Sequence, residues 1–284
     1  MSAPIRIAVA VALLAALAAV PAPALAGKPP QRIVSINACA DQYLLTLVAR
    51  ERILAISPFS RDPTTSYHAE RARSIPQVND DAESVLQLRP DLVLASRFNN
   101  ALTLRLLRGQ GLRVLALAHP QTFAEARAQM IRVAHALGVT ARGVAMARRF
   151  DRALRRARNA VADGGPVTAL YYDRGGYALG AGSLSTAMLA HIGLENAASG
   201  LGAIAPVSIE TVLAARPDLL VVPESVRQAD RGAALLAHPA LEQLYPAEQR
   251  LKFPAAAVVC PGPSLIPGLD ALVKRMTRAL NSLR

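Results

Sequence analysis

Three arginines, Arg61, Arg97 and Arg174, come from different segments of the chain and could grip one anion. A guanidinium stays charged at any physiological pH and holds a carboxylate through two parallel hydrogen bonds. Converging, the three would hold an anionic chelate. Pointing outward, they are solvated surface groups. In α/β sheets ligands bind beyond the carboxyl ends of the strands. That rule adds Asn37, Cys39 and Asp41, then Phe59, then Phe98, then Tyr172, then Cys260 and Pro261 to the arginines as candidate ligand-binding residues.

Other chemistry is weakly supported. Gly180-Ala181-Gly182-Ser183 precedes a predicted helix but lacks the third glycine and the later acid of a dinucleotide fingerprint, so it reads as a turn plus an N-cap. There is no G-x-S-x-G nucleophile elbow. The histidines at 68, 119, 135, 191 and 238 are dispersed, and no pair has metal-ligand spacing. His135 and His191 fall within helices and read as packing or surface residues. No catalytic set, cofactor site or bare metal site is expected.

The elements that must position these residues alternate strand and helix. Strands are predicted over 33–36, 53–56, 92–95, 114–117, 167–172, 219–222 and 256–259. Helices are predicted from Gln42, from Glu83 behind the cap Asp81, and over 102–110, 123–137, 139–162, 184–192 and 265–283. One phrase occurs twice: Glu83-Ser-Val-Leu-Gln-Leu-Arg-Pro-Asp-Leu-Val-Leu94 returns as Glu210-Thr-Val-Leu-Ala-Ala-Arg-Pro-Asp-Leu-Leu-Val221. A repeat so widely spaced implies two matched lobes rather than a short-period solenoid. The expected fold class is α/β: two lobes with mainly parallel sheets joined by a single long helix, a clamshell that closes by a modest angle. The division expected is 1–26 leader, 27–138 first lobe, 139–163 connecting helix and 164–284 second lobe, with the boundary at Asp163-Gly164-Gly165-Pro166.

The N-terminus reads as an export signal. Arg6 precedes an uncharged run from Ile7 to Val20, and Ala24-Leu25-Ala26 fits the cleavage pattern. The run is about 14 residues, short of the ~20 that span a bilayer. The mature protein is expected to be free outside the cytoplasm, in the periplasm, as a monomer. The formal charge of +12 comes mainly from scattered arginines, and aromatics are few. A stacking, nucleic-acid-binding surface is therefore not expected. A positive surface favours anionic ligands. Cys39 and Cys260 are the only cysteines. In an oxidising compartment they can be bonded, which would lock the lobes together, or stand as two free or ligand-facing thiols.

Arg32-Ile-Val-Ser-Ile-Asn37 with Asp41, the two Glu-to-Asp repeats, Gly182-Ser183 with Gly193-Leu-Glu-Asn196, and the long helix together resemble the periplasmic cobalamin and ferric-siderophore binding proteins of ABC importers. The resemblance covers about Arg32 to Leu283, nearly all of the mature chain. It implies capture of an iron chelate, haem or a corrinoid in the cleft, without catalysis. It also implies delivery to a membrane permease driven by its ATPase. In that family a glutamate on each lobe pairs with permease arginines, and the matching positions are Glu83 and Glu210. Read from the residues alone, these two acids are equally well placed to suit their own helix dipoles. Cobalamin-binding members carry tryptophan and several tyrosines around the corrin. This chain has no Trp, and Phe59, Tyr67, Phe98 and Tyr172 are the substitutes it offers. Haem would take Tyr67 or Tyr172 as an axial ligand, and the arginines favour ferric chelates with carboxylates. Two other functions compete: a ligand sensor that signals to a membrane receptor, and an α/β enzyme that uses the Gly180 turn for a nucleotide.

Overall fold

The computed structural model describes residues 28–159, 166–224 and 233–283. The expected leader and its cleavage point, and Asp163-Gly164-Gly165 of the expected lobe boundary, lie outside the described residues. No helix among the described residues is long and apolar enough to cross a membrane.

The first lobe runs β1 (Ile33–Ser35), α1 (Ala38–Leu47), β2 (Ile53–Ala55), α2 (Ala69–Ala72), α3 (Ala82–Gln87), β3 (Leu92–Ser96), α4 (Ala101–Gly109), β4 (Val114–Leu117) and α5 (Phe123–Ala136). Its four strands form a parallel sheet in the order β2-β1-β3-β4. Helices cover both faces of such a sheet, so β3 is buried along its whole length and its sequence is an unbroken apolar run up to Ala95. Then α6 (Thr140–Asn159) leads out of the lobe. At 1.5 Å per residue it spans about 30 Å.

The second lobe runs β5 (Val167–Asp173), β6 (Tyr177–Ala178), α7 (Leu184–His191), β7 (Leu194–Asn196), β8 (Ala205–Pro206), α8 (Ile209–Ala215), β9 (Leu219–Pro223), α9 (Ala233–Leu236), α10 (Pro239–Leu244), β10 (Arg250–Phe253), α11 (Ala255–Val258) and α12 (Leu265–Leu283). The strands β10, β9, β5 and β7 are parallel, and β6 and β8 add an antiparallel flap beside β5. The molecule is thus a two-lobed α/β clamshell on a long helix.

A strand expected at 256–259 is instead the short helix α11, and the strand lies just before it. Arg250-Leu-Lys-Phe alternates as an edge strand does, with Leu251 and Phe253 buried and Lys252 exposed. Pro254 ends the pairing, and the alanines after it favour helix.

The twice-occurring phrase builds the same device in each lobe. Asp81 and Ser208 cap α3 and α8 by accepting from the backbone N–H of Ser84 and Thr211. Each helix is followed by an arginine in the left-handed region, Arg89 at φ 46° and Arg216 at φ 42°, just before the proline. The aspartate then ties down the start of a neighbouring strand. Asp91 Oδ2 accepts from Gln31 N–H at 2.6 Å, before β1. Asp218 Oδ2 accepts from both the N–H and the hydroxyl of Thr168 at 2.7 Å, in β5.

One apolar cluster runs through both lobes. It holds Leu44 and Leu47 of α1, Phe150 and Ala153 of α6, Met188 of α7, and Leu272 and Met276 of α12. Separate clusters close the outer faces, around Val93 and Leu107 in the first lobe and Leu220 and Leu241 in the second. The lobes therefore share a core as well as a helix.

Candidate functional site

The parallel strands of each lobe deliver their following loops to one edge. At that edge a hollow of 380 Å³ opens between the lobes. His119 and Gln121, just past β4, line its first-lobe side. Leu179, Ile204, Phe253, Val258 and Val259 give the second-lobe side an apolar wall, with Asp173, Ser183 and Ser185 as its polar points. Ile204 is 66% exposed and Val259 50%, unusual for large apolar side chains. Phe98, 81% exposed, sets its ring edge-on to that of His119, with centroids 6.5 Å apart.

The His119 side chain is exposed at the rim of the hollow, and partial desolvation there holds its pKa below the ordinary value. Neither of its ring nitrogens has a hydrogen-bond partner among the described residues. The other four histidines are all engaged. His68 meets the Thr46 hydroxyl at 3.1 Å, His135 the Thr140 hydroxyl at 3.3 Å, His191 the Leu154 carbonyl at 2.8 Å, and His238 accepts from Ala240 N–H at 3.2 Å.

The residues expected from sequence fall into three groups. Phe59, Tyr67, Arg97, Phe98 and Arg174 are exposed. A second group does structural work. Asn37 is half-buried and spends its side-chain oxygen on the N–H groups of Cys39 and Ala40, capping α1. The Arg61 side chain donates to the carbonyls of Ala72 and Ile75, at 3.4 and 2.6 Å, so one arm of the expected three-arginine grip is occupied.

The third group does not line the hollow. Asp41, in the first turn of α1, is fully buried. One of its oxygens accepts from the Ser57 N–H at 3.2 Å, the Ser57 hydroxyl at 2.6 Å and the Ser60 hydroxyl, pinning the 58–61 turn that carries Phe59 and Arg61. Its other oxygen has no partner. Desolvation pushes its pKa up to about 7, against the pull of its serine hydrogen bonds. Tyr172 is buried too, its hydroxyl donating to the Val207 carbonyl at 3.2 Å, so it is no axial ligand in this arrangement. The strand alternation that sends Tyr172 to the outer cluster sends its neighbour Tyr171 to the hollow. Pro261 is buried. Cys39 and Cys260 are bonded to each other, with Cα atoms 4.6 Å apart, so neither is a free or ligand-facing thiol. Cys260 follows α11 rather than a strand.

The Gly180 turn is packing and cap. A Cβ on Gly180 would lie 2.2 Å from the Gly202 carbonyl oxygen, and the Ser183 hydroxyl accepts from Thr186 N–H to cap α7. Glu83 and Glu210 are both exposed in the first turn of their helices. Glu210 is held below the usual carboxylate range by its own backbone N–H and by Ser208. His119, two residues past β4, lines the hollow although nothing in its sequence spacing marked it.

The model of a family described as periplasmic binding protein matches residues 33–252. The chain belongs to this family. Three solved members of this fold show how widely it ranges. A periplasmic heme binding protein from Pseudomonas aeruginosa is 24% identical with a TM-score of 0.71, covering 86% of this chain and 91% of that one. The periplasmic vitamin B12 binding protein of Vibrio cholerae is 21% identical with a TM-score of 0.66, covering 89% and 98%. A protein of an ABC-type Fe3+-hydroxamate transport system from Saccharomonospora viridis is 19% identical with a TM-score of 0.67, covering 87% and 93%. By sequence alone, no curated protein matches the chain. The periplasmic binding protein family is one of binders rather than enzymes, and these likenesses carry the fold across three ligand classes.

Proposed function

We propose that this periplasmic binding protein captures a bulky metal chelate, namely a ferric siderophore, haem or a corrinoid, and delivers it to the permease of an ABC importer. The observation that carries the reading is the hollow between the lobes, with its apolar wall and exposed Ile204, Val259 and Phe98. Its volume falls within the ~300–1,000 Å³ of ligand pockets, and one open side lets a large chelate project beyond it. Exposed apolar groups gathered at a concave edge indicate a ligand with apolar faces. Arg97, exposed next to Phe98, suits the carboxylates such ligands carry. Glu83 and Glu210 supply one exposed carboxylate per lobe for arginines of the permease. The chain acts in the periplasm, after removal of the leader behind Ala26.

The test is uptake. Cells lacking this chain are supplied with radiolabelled haem, cobalamin or a ferric siderophore, and accumulation is compared with that of complemented cells. Loss of uptake of one of the three, restored by the wild-type chain, is expected. Unchanged uptake of all three overturns the reading.

A further inference from the structure

We infer that the exposed face of α6 is a membrane-contact surface, laid on the headgroups of anionic phospholipids. The inference goes beyond the reading of the interlobe hollow and holds whatever that hollow binds.

The first support is the arrangement of charge. α6 carries seven arginines in twenty residues against a single acid, Asp151. Arginines that look scattered along the sequence are gathered by the helix. Met146, Phe150, Ala153 and Ala157 lie on its buried face. Arg148, Arg152 and Arg155, spaced i, i+4 and i+7, stand opposite. Arg142, Arg149, Arg156 and Arg158 flank them, and all seven are exposed. From Arg142 to Arg158 the row runs about 24 Å.

The second support is an accounting of acids. α6 packs against α5, α7 and α12, whose only acids are Glu125 and Asp270. Glu125 accepts from the Gln121 N–H at 2.8 Å. Asp270 pairs with Arg156 at 2.8 Å, and Asp151 with Arg127 at 2.9 Å. Arg148, Arg149, Arg152, Arg155 and Arg158 therefore have no acid partner among the described residues. Like charges three and four apart on a helix repel and destabilise it. No acid of the described residues offsets that repulsion, whereas a layer of anions outside the chain does.

The third support is shape. The planar fork of arginine holds phosphate oxygens through paired hydrogen bonds. Beside the row, Asp151, Leu154, Arg155, Arg158 and His191 line a hollow of 460 Å³. Asp151 is matched by Arg127, and His191 Nε2 meets the Leu154 carbonyl at 2.8 Å. Arg155 and Arg158 are left as the unmatched charges there, and they suit one headgroup phosphate. With three helices packed against it, α6 shows solvent only a strip. A helix that reads duplex DNA enters the major groove, which a strip does not do. A plane of headgroups asks for no more than a strip. The exposed side chains described on α6 are arginine, alanine and threonine alone. None stacks on a base, and none wedges into the acyl layer, so the face adsorbs without inserting. Adsorption keeps a carrier beside the membrane that holds its permease and turns a search through a volume into a search over a surface.

Flotation of the purified protein with vesicles tests the inference. One set is pure phosphatidylcholine and the other contains about one-third phosphatidylglycerol. The wild type is expected to float with the second set only and to be released by about 1 M salt. Arg148→Gln/Arg152→Gln/Arg155→Gln is expected to partition at least about tenfold more weakly. Arg105→Gln/Arg108→Gln/Arg113→Gln removes the same charge from exposed positions in the first lobe, and is expected to stay within about twofold of the wild type. Glutamine keeps helix propensity, so both variants are expected to melt no lower than the wild type. Equal partition into both sets of vesicles overturns the inference. Equal losses in the two variants also overturn it, since bulk charge rather than the α6 face would then be responsible. Wild-type protein that binds duplex DNA but not phosphatidylglycerol vesicles overturns it in favour of a nucleic-acid surface. None of these outcomes touches the reading of the interlobe hollow.

Discussion

Cys39 and Cys260, 221 positions apart in the chain, are bonded to each other across the two lobes. The bond fastens the first turn of α1 to the segment that leads into α12. It is the third tie between the lobes, after the α6 helix and the apolar cluster that both share. A clamshell held in three ways does not open widely, so the ligand must enter by the open side of the hollow. The unreduced protein is expected to run two hydrogens lighter than the dithiol by mass spectrometry. Closing so long a loop restricts the unfolded chain, with a contribution of up to about 5 kcal/mol. The Cys39→Ser/Cys260→Ser variant is expected to melt about 10 °C lower. Equal melting temperatures would show that the bond does not stabilise the fold.

Asp41 gives stability an inverted acid response. Its folded-state pKa lies near 7 against an ordinary value of 3.8, so between these the folded protein binds more protons than the unfolded chain. Its contribution is full below about pH 4 and is lost as pH rises toward 7. His68 works the other way. Burial holds it at about 4 against 6.5, so its contribution is present above 6.5 and lost as pH falls toward 4. The two slopes oppose each other in the wild type. In Asp41→Asn the opposing slope is removed while that of His68 remains, and denaturant midpoints are expected to rise from pH 4 to 6.5. A variant with the same pH profile as wild type contradicts the burial of a titrating Asp41.

The arginine that ends each repeated helix sits where L-residues are strained. Arg89→Gly and Arg216→Gly are each expected to gain about 0.5–1 kcal/mol in urea unfolding, because glycine adopts this backbone without a Cβ penalty. Arg105→Gly, in the middle of α4, is expected to lose about 1 kcal/mol. Destabilisation at all three positions would contradict the left-handed geometry.

Glu83 and Glu210 are exposed on short helices, and the Coulomb cost of reversing them is small. Glu83→Lys and Glu210→Lys are expected to leave ligand affinity unchanged and to melt close to the wild type. Uptake in cells is expected to collapse in the double variant. Undiminished uptake would move the permease contact elsewhere and favour a sensor role.

Much of the scaffold was legible because its signals are local. β3 and β9 read as buried strands from unbroken apolar runs, and Asp81 and Ser183 read as caps from residue type and position. The flap strands β6 and β8 are two residues each and carry no period to read. The site was less legible because burial is decided by packing. Asp41 and Tyr172 stand near strand ends as ligand residues do, yet one is caged by Ser57 and Ser60 and the other points into the outer cluster. Ile204 and Val259 gave no chemical signal, since only their exposure sets them apart. The aspartate of the repeat also did more than its place after a proline suggests, because its partners Gln31 and Thr168 lie far off in sequence.

A metal chelate bound in the interlobe hollow is open to direct measurement. Equilibrium titration of the purified, oxidised protein with haemin, cobalamin and a ferric hydroxamate tests it most directly, read by tyrosine fluorescence quenching and melting temperature. Ser185→Trp, which fills the hollow from the second lobe, serves as the control. Saturable 1:1 binding of one of the three at about micromolar Kd or tighter, a raised melting temperature, and loss of both in Ser185→Trp are expected. Silence across all three ligands, or binding untouched by Ser185→Trp, would contradict it.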